Sequence, residues 1–536
     1  MDYPQTSMAA LVFETAQSYP TLRAWEYFGF HHTYAALARD IRHCAAALSA
    51  IGVREGTRVV VSLPNCPQAV TLLYALNALG AVAVFTHPLS APEEMAFYLS
   101  SSRAEIAVTL YQFYDDLRDV FRAANLRRVI LTAPLDMLPI AGFARLREKM
   151  PQNVLPWHRF WRLGGTKSPD TATVSSKAHD IAVVLYSGGT SGMPKGIALT
   201  NLNFNALARG TIAAGGNIEA GGRMLAVMPM FHGFGLGVCV HTSLVAGLCA
   251  LLVPRFTVAS YAKILSRRRV NYIAGVPTLF EALLRLPNTA HMRLGTLRGV
   301  FSGGDSLPTE LHRRLDAFLT ERGSPVRVRE GYGLTESVTA CCLTPPDGAP
   351  DGSIGLPFED TRMIIVAPNT TDELPRGETG EILVSSPLVM PRYDDDETET
   401  AQALITLPDG RVWLRTGDLG SMDERGFLYF RGRLKRVIVS SGYNVYPHHV
   451  ETVLNAVRGV AQSCVVGVPD DYRMQRVVAF IVVDDNTDTA ALETALRERC
   501  RAALAPQSRP REYRFIDALP RTRVGKVDYG QLTVDS

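Results

Sequence analysis

Two long stretches without a charged residue, 59–92 and 224–254, constrain this chain more than any other feature. Each exceeds the roughly 20 residues that cross a bilayer. Pro64 and Pro67 interrupt the first, and Pro229, His232 and the glycines 233, 235 and 237 interrupt the second, so neither predicts a continuous spanning helix. Burial in a thick core is the expectation that remains. From Tyr27 onwards short β-branched runs alternate with helical segments. Residues 58–62, 82–85, 106–110, 128–131, 181–186, 223–229, 249–253, 272–275 and 299–302 predict strands. Residues 68–79 and 308–319 predict helices, the second capped by Asp305 or Ser306. Strands alternating with helices imply parallel sheets covered on both faces.

After about residue 360 the texture changes. Residues 363–366 and 381–384 predict strands around a turn-rich segment, as in a compact β subdomain. Beyond Gly432, helices at 450–457 and 490–504 and strands at 463–468, 477–483 and 512–515 predict a small α+β unit that can fold around its own core. The fold class is therefore α/β: a large amino-terminal domain, 1–433, of parallel sheets plus a small β subdomain, followed by a small α+β domain, 434–536.

Lys and Arg number 55 against 52 Asp and Glu, a net +3 that lacks the concentrated positive field of a nucleic-acid binder. Eight cysteines without a Cys-x-x-Cys pair argue against a zinc ribbon or disulfide framework, and the first twenty residues lack a basic region followed by an apolar core. A cytoplasmic protein with reduced thiols, monomeric or homodimeric, is expected. Residues 135–163 mix Met, Pro, Phe and Trp with five basic residues. That mixture suits peripheral contact with an anionic membrane, the bland alternative being a solvated covering loop.

The strongest local signal follows the strand at 181–186: Tyr186, then Ser187, Gly188, Gly189, Thr190, Ser191, Gly192, Met193, Pro194, Lys195 and Gly196. Glycines let backbone N–H groups crowd around an anion, hydroxyls add donors, and Lys195 brings a cation. No Gly-Lys-Ser/Thr follows, so this is not the Walker loop. A second glycine turn, Gly303-Gly304, leaves a strand end, where ligands of such sheets sit. Tyr332-Gly333-Leu-Thr335-Glu336 then supplies an aromatic face, a hydroxyl and a carboxylate, suited to a purine, a phosphate oxygen and Mg2+. Asp418 at a turn suits a ribose diol, and Arg433 and Lys435 come soon after.

In this order the motifs resemble those of the adenylate-forming superfamily, acyl-CoA synthetase branch, over residues 33–528 and most like its medium- and long-chain fatty acyl-CoA ligases. The resemblance implies a large amino-terminal domain, a mobile carboxy-terminal lid and a two-step reaction: acid plus ATP gives acyl-AMP and pyrophosphate, then a thiol displaces AMP. It makes residues 187–195 the pyrophosphate loop, Thr335 an α-phosphate contact and Glu336 the Mg2+ ligand. Tyr332 would stack on adenine beside Gly303 and Gly304, Asp418 and Arg433 would hold the ribose, and Lys435 would be the hinge. Lys526, in Pro520-Arg-Thr-Arg-Val-Gly-Lys526, matches the lysine that bridges the substrate carboxylate and α-phosphate. Arg436 departs from the acidic residue that many relatives carry after the hinge.

For the acceptor, Gly442 and Tyr443 look like the loop of CoA ligases that faces the pantetheine tunnel, and coenzyme A is expected over a tethered carrier. For the acid, the apolar run from Met230 through His232 to Gly237 predicts a hydrophobic pocket without a carboxylate for an amino acid's ammonium group. His232 matches a position near the substrate carboxylate. The three glycines, which avoid side-chain bulk, point to a medium- or long-chain fatty acid. The alternatives are an aryl-, bile- or other polycyclic-acid CoA ligase, or a fatty acyl-AMP ligase feeding a carrier protein.

Overall fold

The alternation of strands and helices resolves into two large sheets with the uncharged segments in the core that joins them. The structure, a computed structural model, describes residues 3–139, 150–166, 176–187, 194–287, 289, 291–440, 443–470, 473–484, 487–521 and 527–534. One eight-stranded sheet runs in the spatial order Arg392–Tyr393, Lys195–Thr200, Ile181–Ser187, Val82–Phe85, Arg58–Ser62, Ile106–Leu110, Arg128–Thr132 and Val154–Pro156. Its first three strands pair antiparallel and the others parallel. The nine-stranded sheet has Gly299–Ser302 and Val328–Tyr332 side by side and parallel, beyond Tyr272–Gly275 and Arg223–Ala226.

The first uncharged stretch supplies the helix Pro67–Ala78, all of whose residues are buried. A helix apolar on every face needs neighbours on every face. Two of its polar side chains are tied to neighbouring segments: Gln68 Nε2 donates to Ala133 O at 2.7 Å and Asn77 Nδ2 to Asn201 Oδ1 at 2.7 Å. Asn65 ties the two stretches together, with Nδ2 donating to Ala226 O and Met228 O and Oδ1 accepting from Met230 N. The second stretch forms the strand Arg223–Ala226, shorter than the 223–229 expected because Pro229 leads into a turn, then a nine-residue π-helix, Phe234–Thr242. π-helical turns cost hydrogen-bond geometry and recur at functional sites. Within it His241 is enclosed, its ring nitrogens 3.2 Å from Tyr74 Oη and 3.1 Å from Asn205 Oδ1, and burial pushes its imidazole down to about 3.

A five-stranded antiparallel sheet, containing Arg362–Val366, Gly380–Ser385, Val412–Met422 and Leu428–Arg433, is the expected β subdomain. The last sheet, built on Val460–Asp470 and Met474–Val483, packs the helices Pro447–Asn455 and Thr489–Ala503 against one face and Leu519 and Leu532 against the other. All eight cysteines are buried and free.

One expectation is corrected. The helix Thr309–Glu321 starts after Pro308 without a side-chain cap, and Asp305 instead accepts from Ser306 N in the preceding turn. In the segment 135–163, residues 140–149 lie outside the described residues, while the remainder folds as the strand Val154–Pro156 and the helix Trp157–Leu163. Trp157 and Phe160 are core residues, and Trp161 is partly buried against the same cluster. No helix among the described residues is long and apolar enough to cross a membrane.

Candidate active site

One strand end organises the site. Val328–Tyr332 leads through Gly333 into the short turn Thr335–Ser337, so Tyr332 and Glu336 are fixed by the same piece of backbone. Gly333 is required by packing: a Cβ there would lie 1.9 Å from Thr339 O. Val338, which ends the turn, has φ 63°, an uncommon conformation for a β-branched residue.

On one side of this turn lies an acid, cation and phenol cluster. Ser187 and Lys195 are the last pair of the antiparallel ladder, facing each other across the mouth of the glycine loop. Lys195 Nζ is 2.5 Å from Glu399 Oε2 and 5.2 Å from the centroid of Tyr393. Tyr393 Oη donates to Glu336 Oε1 at 2.9 Å, and Met390 N donates to Glu336 O at 2.7 Å. Burial, and then the Glu336 carboxylate, push the Tyr393 phenol well up, so it stays a donor. Tyr393 is held by the edge pairing of Arg392–Tyr393 with residues 197–198, and by the ion pair of Arg58 with the adjacent Asp394.

On the other side Tyr332 is buried with Oη donating to Asp418 Oδ2 at 2.8 Å. Arg433 Nε lies 3.3 Å from Asp418 Oδ1, the two residues being cross-strand partners. The Asp418 carboxylate pushes the Arg433 guanidinium up, while burial first and Asp418 second push the Tyr332 phenol up. Phe430 flanks Tyr332, ring centroids 6.2 Å apart. Gly303 completes this end: a Cβ there would sit 3.3 Å from Gly331 O and 3.7 Å from the Phe234 ring, and Gly304 has φ 82°. Two residues before Tyr332, burial pushes the Glu330 carboxyl up to about 7, and Leu307 N donates to its Oε1.

His232 is half-buried, its ring 4.7 Å from that of Phe231, which in turn meets His87 at 4.6 Å. The glycines that follow do not open space. A Cβ on Gly233 would be 1.6 Å from Val338 O, on Gly235 2.1 Å from Pro229 O, and on Gly237 2.5 Å from Leu207 Cδ2. The expectation that they widen an acid pocket is corrected: they let the π-helix pack against neighbouring backbone and side chains.

Lys195, Tyr332, Glu336 and Tyr393 fall within the longer of two matched regions, and Glu399, Asp418, Phe430 and Arg433 lie between the two. Residues 12–394 match the family described as AMP-binding enzyme, and residues 449–526 match its C-terminal domain. The chain belongs to the AMP-binding enzyme family. A long-chain-fatty-acid–CoA ligase of Bacillus subtilis is 32% identical, over 98% of this chain and 93% of that protein. A 4-coumarate–CoA ligase of Oryza sativa is 30% identical, over 93% and 86%. The crystal structure of ATP-bound MatB from Rhodopseudomonas palustris has a TM-score of 0.85 at 25% identity, covering 99% of both chains.

Within this AMP-binding enzyme the structure gathers Lys195, Glu336, Tyr332, Asp418 and Arg433 around one turn. Gly188, Gly189, Thr190, Ser191, Gly192, Gly442 and Lys526 lie outside the described residues. Tyr443 is 59% exposed at the start of its strand, and Lys435 lies in the turn Leu434–Arg436 that follows the β subdomain. Tyr393, Glu399 and Phe430 escaped sequence reasoning. Tyr393 carries no motif of its own. Glu399 had one local signal, since Asp396 caps its helix and accepts from Glu399 N at 2.9 Å.

Proposed function

We propose that this enzyme is an ATP-dependent carboxylic acid–CoA ligase acting through acyl-AMP, with a medium- or long-chain fatty acid as substrate. The observation that carries the chemistry is the convergence of a lysine, a phenol-held carboxylate and a tyrosine–aspartate–arginine set on one strand end. The full-length likeness to a fatty-acid ligase supports the acid.

In the first step a carboxylate oxygen attacks the α-phosphorus of ATP, and the bond from that phosphorus to the pyrophosphate oxygen breaks. The attack brings anions together and builds charge on the leaving group, so fixed cations and amide dipoles lower its barrier. Lys195 and the loop 187–195 hold the leaving pyrophosphate, Thr335 the α-phosphate, and Asp418 with Arg433 the ribose. Tyr332 and the Gly303–Gly304 turn bound the adenine. Glu336, oriented by Tyr393, suits Mg2+, which usually takes one or two protein carboxylates and substrate phosphates; when bound, the ion neutralises phosphate charge. Lys526 supplies a cation for this step alone. In the second step the CoA sulfur attacks the acyl carbon, the carbon–oxygen bond to AMP breaks, and the thiol proton is lost. The division at 433/434, with Lys435 as pivot and Gly442 and Tyr443 at the thiol tunnel, fits a lid that serves the two steps in turn.

The likeness to a 4-coumarate ligase favours a ring-bearing acid as a second reading. Release of pyrophosphate and AMP across acids from acetate to palmitate, with benzoate, a coumarate and a bile acid, with and without CoA, tests both. A maximum at a fatty acid with thioester formed only with CoA is expected. Turnover confined to a ring-bearing acid would transfer the proposal to the second reading. AMP release without thioester would remove CoA as the acceptor.

A further inference from the structure

Arg436, the residue that departs from the family pattern, has an unusually complete set of partners. Its Nη2 donates to Glu451 Oε1 at 2.5 Å and to Val465 O at 3.2 Å, and its guanidinium lies 4.7 Å over the ring of Tyr529. Glu451 is itself fixed, Oε1 also accepting from Val465 N at 2.9 Å. Burial works against the Arg436 charge, but Glu451, Cys464 and Tyr529 together hold the guanidinium up. Three positions earlier Arg433 is bound to Asp418 in the β subdomain. Leu434 and Lys435 are thus the backbone between two anchored guanidinium groups, one on each side of the proposed pivot.

Tyr529 connects this anchor to the end of the chain. It opens the short helix Tyr529–Val534 and follows Lys526 by three residues. Among the described residues that precede and follow 522–526, Arg521 and Val527 form a bridge and Asp528 N donates to Pro520 O at 2.8 Å. Arg521 Nη2 also donates to Gln462 Oε1 at 2.9 Å. A side chain that grips Tyr529 therefore sets where this bridge sits relative to the pivot.

We propose that Arg436 is a positioning residue for adenylation: through Glu451 and Tyr529 it registers the Arg521–Val527 bridge and the helix Tyr529–Val534, which adjoin Lys526 in sequence, to the pivot, and so acts on the first half-reaction specifically. The proposal rests on the adenylating function given above. A planar guanidinium that both pairs with a carboxylate and stacks on a ring is poorly replaced by an ammonium.

The test compares wild type with Arg436→Gln, Arg436→Lys, Tyr529→Leu and Tyr529→Phe in two separate half-reactions. These are pyrophosphate release without CoA, and thioester formation from supplied acyl-AMP and CoA. Misplacing a reacting cation costs roughly ten- to a hundredfold. Arg436→Gln and Tyr529→Leu are expected to lose adenylation on that scale, with thioester formation within about threefold of wild type. Arg436→Lys should be intermediate, and Tyr529→Phe, which keeps the ring, should retain more than Tyr529→Leu. The double variant Arg436→Gln/Tyr529→Leu should be no slower than the worse single variant. Hydrogen exchange gives a readout independent of turnover: Arg436→Gln should speed exchange at 527–534 while 474–483 stay protected. Equal losses in both half-reactions, additive losses, or unchanged exchange at 527–534 would overturn the proposal. A wild type that adenylates no acid would overturn the functional assignment instead, and the exchange result would still decide the coupling.

Discussion

Adding one carbon to each glycine of the second uncharged stretch separates packing from pocket shape. A Cβ on Gly233 would sit 1.6 Å from the Val338 carbonyl oxygen, and one on Gly237 would sit 2.5 Å from a Leu207 methyl. Non-bonded carbon atoms rest at roughly 3.5–4.0 Å, so Gly233→Ala requires two backbones to part by about 2 Å. Overpacking costs about 1–3 kcal/mol where side chains can give way. Gly233 meets backbone that carries the Thr335–Ser337 turn, so about 3–5 kcal/mol is expected there, against about 1–2 kcal/mol for Gly237→Ala, whose obstacle is the end of a rotatable side chain. Urea unfolding followed by tryptophan fluorescence suits the measurement, because Trp25 and Trp157 lie in the core cluster that includes Leu207 and Val338. The expected order of midpoints is wild type, Gly237→Ala, then Gly233→Ala, with adenylation lost most in the last. A Gly233→Ala protein with the wild-type midpoint would refute this close-packing account. Wild-type stability in Gly237→Ala together with a preference for shorter acids would restore the idea that the glycines make room for substrate.

Tyr393→Phe removes the donor to Glu336, a bond to a carboxylate worth about 1.5–3 kcal/mol before solvent screening, so about a tenfold loss in kcat/KM and a raised Mg2+ requirement are expected in a magnesium titration of pyrophosphate release. Asp418→Asn weakens the partner shared by Tyr332 and Arg433; about a tenfold rise in the KM for ATP, with a smaller change in kcat, should appear in initial-rate kinetics. His241 is held neutral by burial, with its folded pKa near 3 below the ordinary value of about 6.5. The unfolded chain therefore binds more protons within that window, and stability falls as pH drops through it, by about 2 kcal/mol between roughly pH 7 and 5. Urea midpoints of wild type and His241→Gln at the two pH values should converge or cross; parallel curves would remove His241 as the cause. Burial pushes the thiols of Cys66, Cys239, Cys249, Cys341 and Cys464 up to about 12, so alkylation by iodoacetamide should wait on unfolding.

Much of the secondary structure was legible in advance. The buried strands Arg58–Ser62, Val82–Phe85, Ile106–Leu110, Tyr272–Gly275 and Gly299–Ser302 fall where β-branched runs end at turn residues. Burial on both faces leaves an apolar run as the only sequence compatible with those positions. Irregular pieces were less legible. The π-helix Phe234–Thr242 looks like any apolar helix in sequence, and the role of its glycines depends on what lies across from them. Similarly, sequence alone does not say which side of the short helix Trp157–Leu163 the core occupies, and the structure puts Trp157 and Phe160 there.

For the site, local order along the chain determined the candidate groups: the glycine loop ending at Lys195, the Tyr332 to Glu336 turn, Asp418, Arg433 and Lys435. Those motifs are read from neighbours a few residues apart, because one turn of backbone must present several of their atoms together. Tertiary structure alone decided the partnerships. Glu336 is oriented by Tyr393 across 57 positions, Tyr332 meets Asp418 across 86, and Lys195 meets Glu399 across 204. Arg436 read as a departure until the fold set Glu451, Val465 and Tyr529 around it. Such contacts leave no periodicity in the chain, since they depend on how separate sheets pack and on which edge strand pairs with which.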